Sequence, residues 1–258
     1  MNTGKRVVLE KRNATGIILF NRPEVLNALD TEMLRELEDC ISVLEKDDQV
    51  RVILVTGERN FCAGADIRKM RDMTPGEAKC FAELGHAVLD RIENCVKPVI
   101  AAIAGYALGG GCELALACDM RIAAETAKFG QPEVTLGLVP GFAGTERLTK
   151  LVGASRAKEL ILTGKIVNVN EAEFIGLVNQ VTPDGELMAR AEEAARILAQ
   201  GSPAAVKLAK HMINRASGVV PELAGKDIAD FARCFETEDR IEGITAFLEK
   251  RKPRFKGC

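Results

Sequence analysis

Short runs rich in Val and Ile alternate with amphipathic stretches of helical period along this chain up to about Asn170. Few architectures accommodate that alternation. Strand-like runs fall at residues 7–9, 17–20, 52–55, 99–103 and 121–123, each bounded by turn residues or Pro. Between them Leu34, Leu37, Ile41 and Leu44 recur at helical spacing behind Asp30, a residue type suited to an N-cap. Phe81, Leu84, Val88 and Ile92 repeat the pattern behind Thr74-Pro75-Gly76-Glu77, which reads as a capping box with Pro at the first helical position. The alternation predicts an α/β domain with covered sheets. From about Asn170 onward the pattern becomes nearly all helical. Leu187, Ala191, Ala194 and Leu198 form one stripe, Ser202-Pro203 opens another helix, and Ile241, Ile244 and Leu248 form a stripe near the end. The division expected is a core over 1–195 and a helical region over 196–258 that packs on another copy of the chain, against the plainer reading of a self-capping lid.

A length of 258 residues suits one large domain with an appended helical piece, and 47% apolar residues supply a sizeable core. The net charge of -2 argues against a nucleic-acid or other polyanion partner. No apolar run is long enough to span a bilayer, and residues 1–11 lack a signal-type stretch, so no membrane association and a cytoplasmic location are expected. Eight cysteines occur with no C-x-x-C spacing, mostly inside apolar runs, which reads as buried thiols without a disulfide framework. His86 and His211 are far apart and lack ligand-like neighbours, so no metal site is expected and both read as solvated helix residues.

Two glycine-rich segments follow strands: residues 61–67, Phe-Cys-Ala-Gly-Ala-Asp-Ile, and residues 105–114, which run into an apolar helical stretch. Glycines that open a helix leave N–H groups without intrahelical partners, and the helix dipole favours an anion there. Two such loops can each offer one N–H to the same oxygen, an oxyanion hole. A phosphate cradle is a poorer match, because Leu114 occupies the last position of a would-be G-x-G-x-x-G and no P-loop pattern occurs. Tight strand–helix packing is the plain alternative. Glu113 lies in the first turn after the glycines, and Glu133 follows Gln131-Pro132 at another helix start. Two carboxyls in slightly different environments can hold one proton between them and divide base and acid work. Each is otherwise a favourable first-turn charge. None of the four serines lies in G-x-S-x-G, so nucleophilic catalysis is poorly supported.

The ordered set of Asn21-Arg22-Pro23 with Leu26-Asn27-Ala28-Leu29, the two glycine segments, Phe129-Gly130-Gln131-Pro132-Glu133, Leu138-Val139-Pro140-Gly141, Gly144-Thr145, Arg147-Leu148 and the tail from Ala246 to Arg251 resembles the crotonase (enoyl-CoA hydratase) family over essentially the whole chain. The resemblance implies a spiral of β-β-α units with a helical C-terminal region, and a homohexamer built as a dimer of trimers. It also implies an acyl-CoA thioester substrate, with coenzyme A part of that substrate and neither metal nor other cofactor required. It assigns the oxyanion hole to the N–H groups of Ala63 and Gly110, base and acid roles to Glu113 and Glu133, and coenzyme A contacts to Ala63, Gly64, Ala65, Asp66, Ile67 and Gly110. A neighbouring subunit's Phe247 and Lys250 would approach the nucleotide. The paired glutamates favour reversible hydration of a short-chain trans-2-enoyl-CoA, including dehydration of 3-hydroxybutyryl-CoA. The alternatives are an enoyl-CoA isomerase or another reaction of the family, an RNA-binding relative, and a scaffold with a dead site. The sequence departs from the common pattern at Ala143, where Gly is usual, and at Glu146, where Gln is usual.

Overall fold

β1 (Val7–Arg12) and β2 (Thr15–Phe20) form an antiparallel hairpin whose turn carries Asn13 in the left-handed region. The computed structural model describes residues 5–217, 238–239, 242, 246 and 249–257. After the hairpin come α1 (Thr31–Lys46), β3 (Val52–Gly57), the short α2 (Ile67–Met70) and α3 (Pro75–Glu93). Next are β4 (Val99–Ile103), β5 (Tyr106–Leu108) and α4 (Gly110–Ala117), then β6 (Met120–Ala124), β7 (Lys128–Gly130) and α5 (Gly144–Thr163). The last described elements are β8 (Ile166–Asn168), α6 (Val169–Phe174), β9 (Gln180–Thr182), α7 (Leu187–Ala199) and α8 (Pro203–Ser217). The successions β4-β5-α4 and β6-β7-α5 are the expected β-β-α units.

Two sheets result. The larger has the order β1-β2-β3-β4-β6-β9 and is parallel from β2 onward; the smaller has the order β5-β7-β8. Strand side chains alternate between faces. Ile53, Val55, Ala101 and Ile103 enter the main core with α1, α3 and α4, whereas Val52, Leu54, Ile100 and Ala102 face Leu187, Ala191 and Ala195 of α7. Both faces are therefore covered, which is why these strands read as continuous apolar runs.

The helix signals match the observed starts. The Asp30 side chain accepts from the Met33 N–H at 2.9 Å, and Thr74 and Glu77 form the capping box ahead of α3. The C-terminal end of α4 is fastened by buried Arg121, whose Nη1 donates to the carbonyls of Cys118 at 2.8 Å and Ala115 at 3.2 Å, and whose Nε donates to Leu177 at 2.7 Å.

One strand interrupts the nearly all-helical stretch after Asn170: β9 joins the large sheet beside β6. β5, β7, β8 and β9 are each three residues long. A period of two cannot announce itself in so few residues, and pairing with a neighbour decides them. α7 packs on the sheet, so residue 195 lies within a helix that belongs to the core face. The stripe Ile241, Ile244 and Leu248 lies outside the described residues. His86 and His211 are exposed. Cys62, Cys95, Cys112 and Cys118 are buried free thiols, Cys40 is half-buried, and Cys80 is exposed on α3. No described helix is long and apolar enough to cross a membrane.

Candidate active site

The two glycine segments meet. The loop after β3 runs beside β5, with the Cys62 N–H donating to Tyr106 O at 2.8 Å and the Leu108 N–H donating to Cys62 O at 3.1 Å. Three residues on, Ala65 forms a parallel bridge with Leu29, made by the Leu29 N–H on Gly64 O and the Asp66 N–H on Leu29 O, both at 2.8 Å. In a parallel bridge the bonds come from the residues flanking the bridged one, so the N–H of Ala65 faces the other way. Gly110 is the first residue of α4 and has no intrahelical acceptor for its own N–H. Among the described residues no acceptor takes either N–H. Gly64 brings these donors together: its φ is +110°, and a Cβ there would stand 2.9 Å from Leu108 O and 3.7 Å from Gly110 N.

Ala63 does not fit the donor role that the resemblance assigned to it. Its N–H donates to Leu26 O at 3.0 Å. Leu26 and Asn27 both take left-handed conformations, with φ of 54° and 58°, and this tight turn is what presents the carbonyl. The positive φ of Gly64 interrupts the extended run, so Ala63 and Asp66 both donate toward the 26–29 segment while the Ala65 N–H between them faces away from it. Ala65 therefore offers the equivalent amide, unspent.

Glu113 sits in the first turn of α4, with the residue only 1% exposed. Its Oε1 accepts from the N–H groups of Phe142 and Gly144, both at 2.7 Å. Burial pushes its pKa up to about 7. The two N–H donors pull the other way, the charge of Glu133 adds to the rise, and Arg147 opposes it. Glu133 follows Pro132 at the start of a 3-10 helix, Pro132–Leu136, and is half-buried, which raises its pKa as well. The fully buried Gln131 amide satisfies its surroundings with Nε2 turned toward Glu133, donating at 2.9 and 3.2 Å to the two carboxylate oxygens. Gly109 links the two carboxylates to the glycine turn. Its φ of 49° and ψ of -126° admit little but glycine, and a Cβ there would lie 3.0 Å from Oε1 of Glu133.

Beside this arrangement an open cleft of about 880 Å³ is lined by Leu29, Asp66, Met70, Met73, Phe81 and Leu84, among others. Neither glutamate belongs to that lining. The cleft nevertheless borders the start of α4 and the loop that holds Glu113, because Phe81 packs edge-on against Phe142 with ring centroids 5.3 Å apart, and Leu29 and Phe142 both lie against Gly110. Asp66 is buried on Arg22 at 3.2 Å, and Ile67 is exposed. Lys250 stands exposed on the C-terminal tail with φ of 54°, and Phe247 lies outside the described residues. The buried thiols of Cys62 and Cys112 are each pushed up to about 12 by desolvation, which leaves them poor nucleophiles. Among the described residues no cluster of His, Cys, Asp or Glu has the makings of a metal site.

The model of the family described as Enoyl-CoA hydratase/isomerase matches residues 10–258. The chain belongs to this family. It is 47% identical over 250 residues to a short-chain-enoyl-CoA hydratase of Clostridium acetobutylicum, covering 95% of each chain. It is 46% identical over 255 residues to a crotonyl-CoA hydratase of Syntrophomonas wolfei, covering 97% of this chain and 98% of that one. Among solved structures it resembles an enoyl-CoA hydratase from Bacillus anthracis with a TM-score of 0.95 and 38% identity, covering 98% of this chain and 100% of the other. The α/β fold is thus that of the enoyl-CoA hydratase/isomerase family.

Within that family framework the departure at Ala143 acquires a physical meaning. Its φ is 67°, a conformation in which a Cβ is disfavoured and glycine is not. Glu146 is exposed and pairs with Lys150 at 2.7 Å, so the exchange at that position is a surface event. The sequence reading gave no individual role to Gln131, Phe142, Gly144 or Arg147. For Phe142, Gly144 and Arg147 nothing in the local spacing marks the role, since their contacts to Glu113, Asp90 and Glu93 span 29 to 57 residues.

Proposed function

We propose that this chain catalyses the reversible addition of water across the Cα=Cβ bond of a short-chain trans-2-enoyl-CoA, giving a 3-hydroxyacyl-CoA. The observation that carries the reading is a pair of amides, Ala65 and Gly110, that no acceptor among the described residues takes, in a glycine turn whose Gly109 abuts the half-buried Glu133 and which opens the helix of the buried Glu113. The names of the two curated relatives support it, one a short-chain-enoyl-CoA hydratase and the other a crotonyl-CoA hydratase.

In this reading the N–H groups of Ala65 and Gly110 donate to the thioester oxygen and draw electron density from Cβ. The Oε2 of Glu113, left over when Oε1 is held by the loop amides, removes a proton from water as the water oxygen bonds to Cβ. The displaced electron pair passes through Cα to the thioester oxygen as an enolate, and the two amides stabilise that charge. One such donor is typically worth about 10²–10³ in rate. The enolate collapses as Glu133 delivers a proton to Cα. In dehydration Glu133 takes the proton and Glu113 gives one up. Burial and mutual repulsion let the pair keep one proton between them near neutral pH, which both directions need. An isomerase needs only one proton shuttle, so the presence of a second carboxylate, the half-buried Glu133, favours hydration.

Gly64, Ala65, Asp66 and Ile67 would lie along coenzyme A, which is part of the substrate, and the reaction calls for no metal or other cofactor. A neighbouring copy's Phe247 and Lys250 would reach its nucleotide. Residues 196–258 would contribute contacts in a hexamer built from trimers. Val139 and Phe174, 73% and 80% exposed, support assembly, since apolar side chains so open to water are suited to burial against another copy. The cytoplasm is the proposed location. The test is the loss of enoyl absorbance from crotonyl-CoA and its longer homologues, with light scattering for the mass. No turnover of any trans-2-enoyl-CoA refutes the activity, and a single-chain mass refutes the assembly.

A further inference from the structure

Arg147 makes no hydrogen bond to either glutamate, yet its contacts converge on the loop that holds one of them. It lies in the first turn of α5 with its side chain 5% exposed. Its Nη1 donates to the carbonyl of Phe142 at 2.7 Å, its Nε to Glu93 at 2.9 Å and its Nη2 to Asp90 at 2.5 Å. Both carboxylates belong to α3, and so does Phe81, whose ring packs on that of Phe142. The Arg147 N–H donates to Ala143 O at 3.0 Å. The segment 142–144 is therefore tied to α3 through one guanidinium, and its two outer residues supply the N–H groups on Glu113.

We infer that Arg147 is a positioning residue for the hydration reaction, fastening the Phe142 carbonyl to α3 so that the Phe142 and Gly144 amides hold Glu113 with its free oxygen toward the water. The inference rests on the reading of Glu113 as the base. A planar fork with donors at fixed angles meets one carbonyl and two carboxylates at once, which a lysine ammonium on a flexible stem does not reproduce. Asp90 and Glu93 have side chains 57% and 36% exposed, so their ion pairs with Arg147 are weakened by solvent. The buried contact to the Phe142 carbonyl is the part that reaches the site. The charged and titratable groups facing Glu113 are Glu133 from the 3-10 helix, Arg147 from α5 and Cys112 from its own helix. Asp90 and Glu93 face Arg147 from α3.

The experiment compares Arg147→Met and Arg147→Lys with the unaltered enzyme, using crotonyl-CoA for turnover and butyryl-CoA, which has no double bond to hydrate, for binding. In Arg147→Met, kcat falls by about 10²-fold, the size of effect expected when a reacting group is misplaced by about 1 Å. KM and the butyryl-CoA Kd stay essentially unchanged. The acid limb of kcat/KM moves to higher pH, because Glu113 loses a nearby cation and two ordered donors. Arg147→Lys keeps the charge but not the fork, so kcat falls while the acid limb moves up by less than in Arg147→Met. Wild-type kcat in either variant overturns the inference, as does a loss in which KM and Kd rise in step with kcat. Should Arg147→Met not fold, Arg147→Lys decides by the same criteria. Glu113→Gln run in parallel separates the two readings. Wild-type turnover there removes Glu113 as the base, whereas an inactive Glu113→Gln beside fully active Arg147 variants removes only the role of Arg147.

Discussion

Replacing Glu113 with Gln is expected to stabilise the protein while abolishing its activity, and the stabilisation should depend on pH. The carboxyl is buried, and desolvation raises its pKa from an ordinary 4.5 to about 7. Each tenfold change in proton affinity corresponds to about 1.4 kcal/mol, so keeping this group ionised in the folded state costs about 3 kcal/mol relative to the unfolded chain. The direction follows from which state ionises first. As pH rises through 4.5 the unfolded carboxyl loses its proton, while the folded one keeps it until about 7. The group's contribution to stability is therefore full below pH 4.5 and lost as pH rises to about 7. A Gln at 113 retains an Oε1 that accepts the Phe142 and Gly144 N–H groups and carries no charge to desolvate. Urea unfolding at fixed protomer concentration should show the variant ahead of wild type by about 2–3 kcal/mol at pH 8 and by well under half of that at pH 5. Turnover of crotonyl-CoA should drop by orders of magnitude at both pH values. A stability gap that is the same at pH 5 and pH 8, or a variant less stable than wild type at pH 8, would refute the reasoning that burial alone dominates this site.

Gly109→Ala places a Cβ 3.0 Å from Oε1 of Glu133 at a backbone conformation reserved for glycine. It should lower kcat by about 10²-fold or more and stability by about 1–3 kcal/mol, read by turnover and by urea midpoint. Ala65→Pro removes an amide hydrogen that no acceptor among the described residues uses, so the fold should survive. Turnover should fall by about 10²–10³-fold with butyryl-CoA binding retained; an unchanged rate would mean that Ala65 is not a donor to the thioester. Ala143→Gly relieves a left-handed alanine and should raise the melting temperature by the equivalent of about 1 kcal/mol or less, since the strain relieved is partly offset by glycine's greater freedom when unfolded. A lower melting temperature would show that the loop tolerates Ala143 without strain.

Much of this protein is legible from its residues in order. The strand stretches at 52–55 and 99–103 are apolar throughout because helices cover both faces, and the composition alone reports that. α1 and α3 declare themselves through apolar spacing and through caps whose donor and acceptor lie three residues apart. The placement of Glu113 and Glu133 at helix starts is equally local. Such features are determined by hydrogen bonds and periodicities that close within a few residues, so a linear reading captures them.

The tertiary structure decided what the linear reading could not. Whether the amide of Ala63 or that of Ala65 stays free depends on a carbonyl presented by the turn at Leu26. Whether Glu113 is merely a first-turn charge or a carboxyl with a pKa of about 7 depends on amides 29 and 31 residues further on, and on burial that only the packed chain creates. Arg147 meets Asp90 across 57 residues. The three-residue strands of the small sheet exist because neighbours offer them partners. Local sequence sets which groups are available, but an unpaired donor or a perturbed acid is defined by what surrounds it, and those surroundings are assembled from distant segments only when the chain folds.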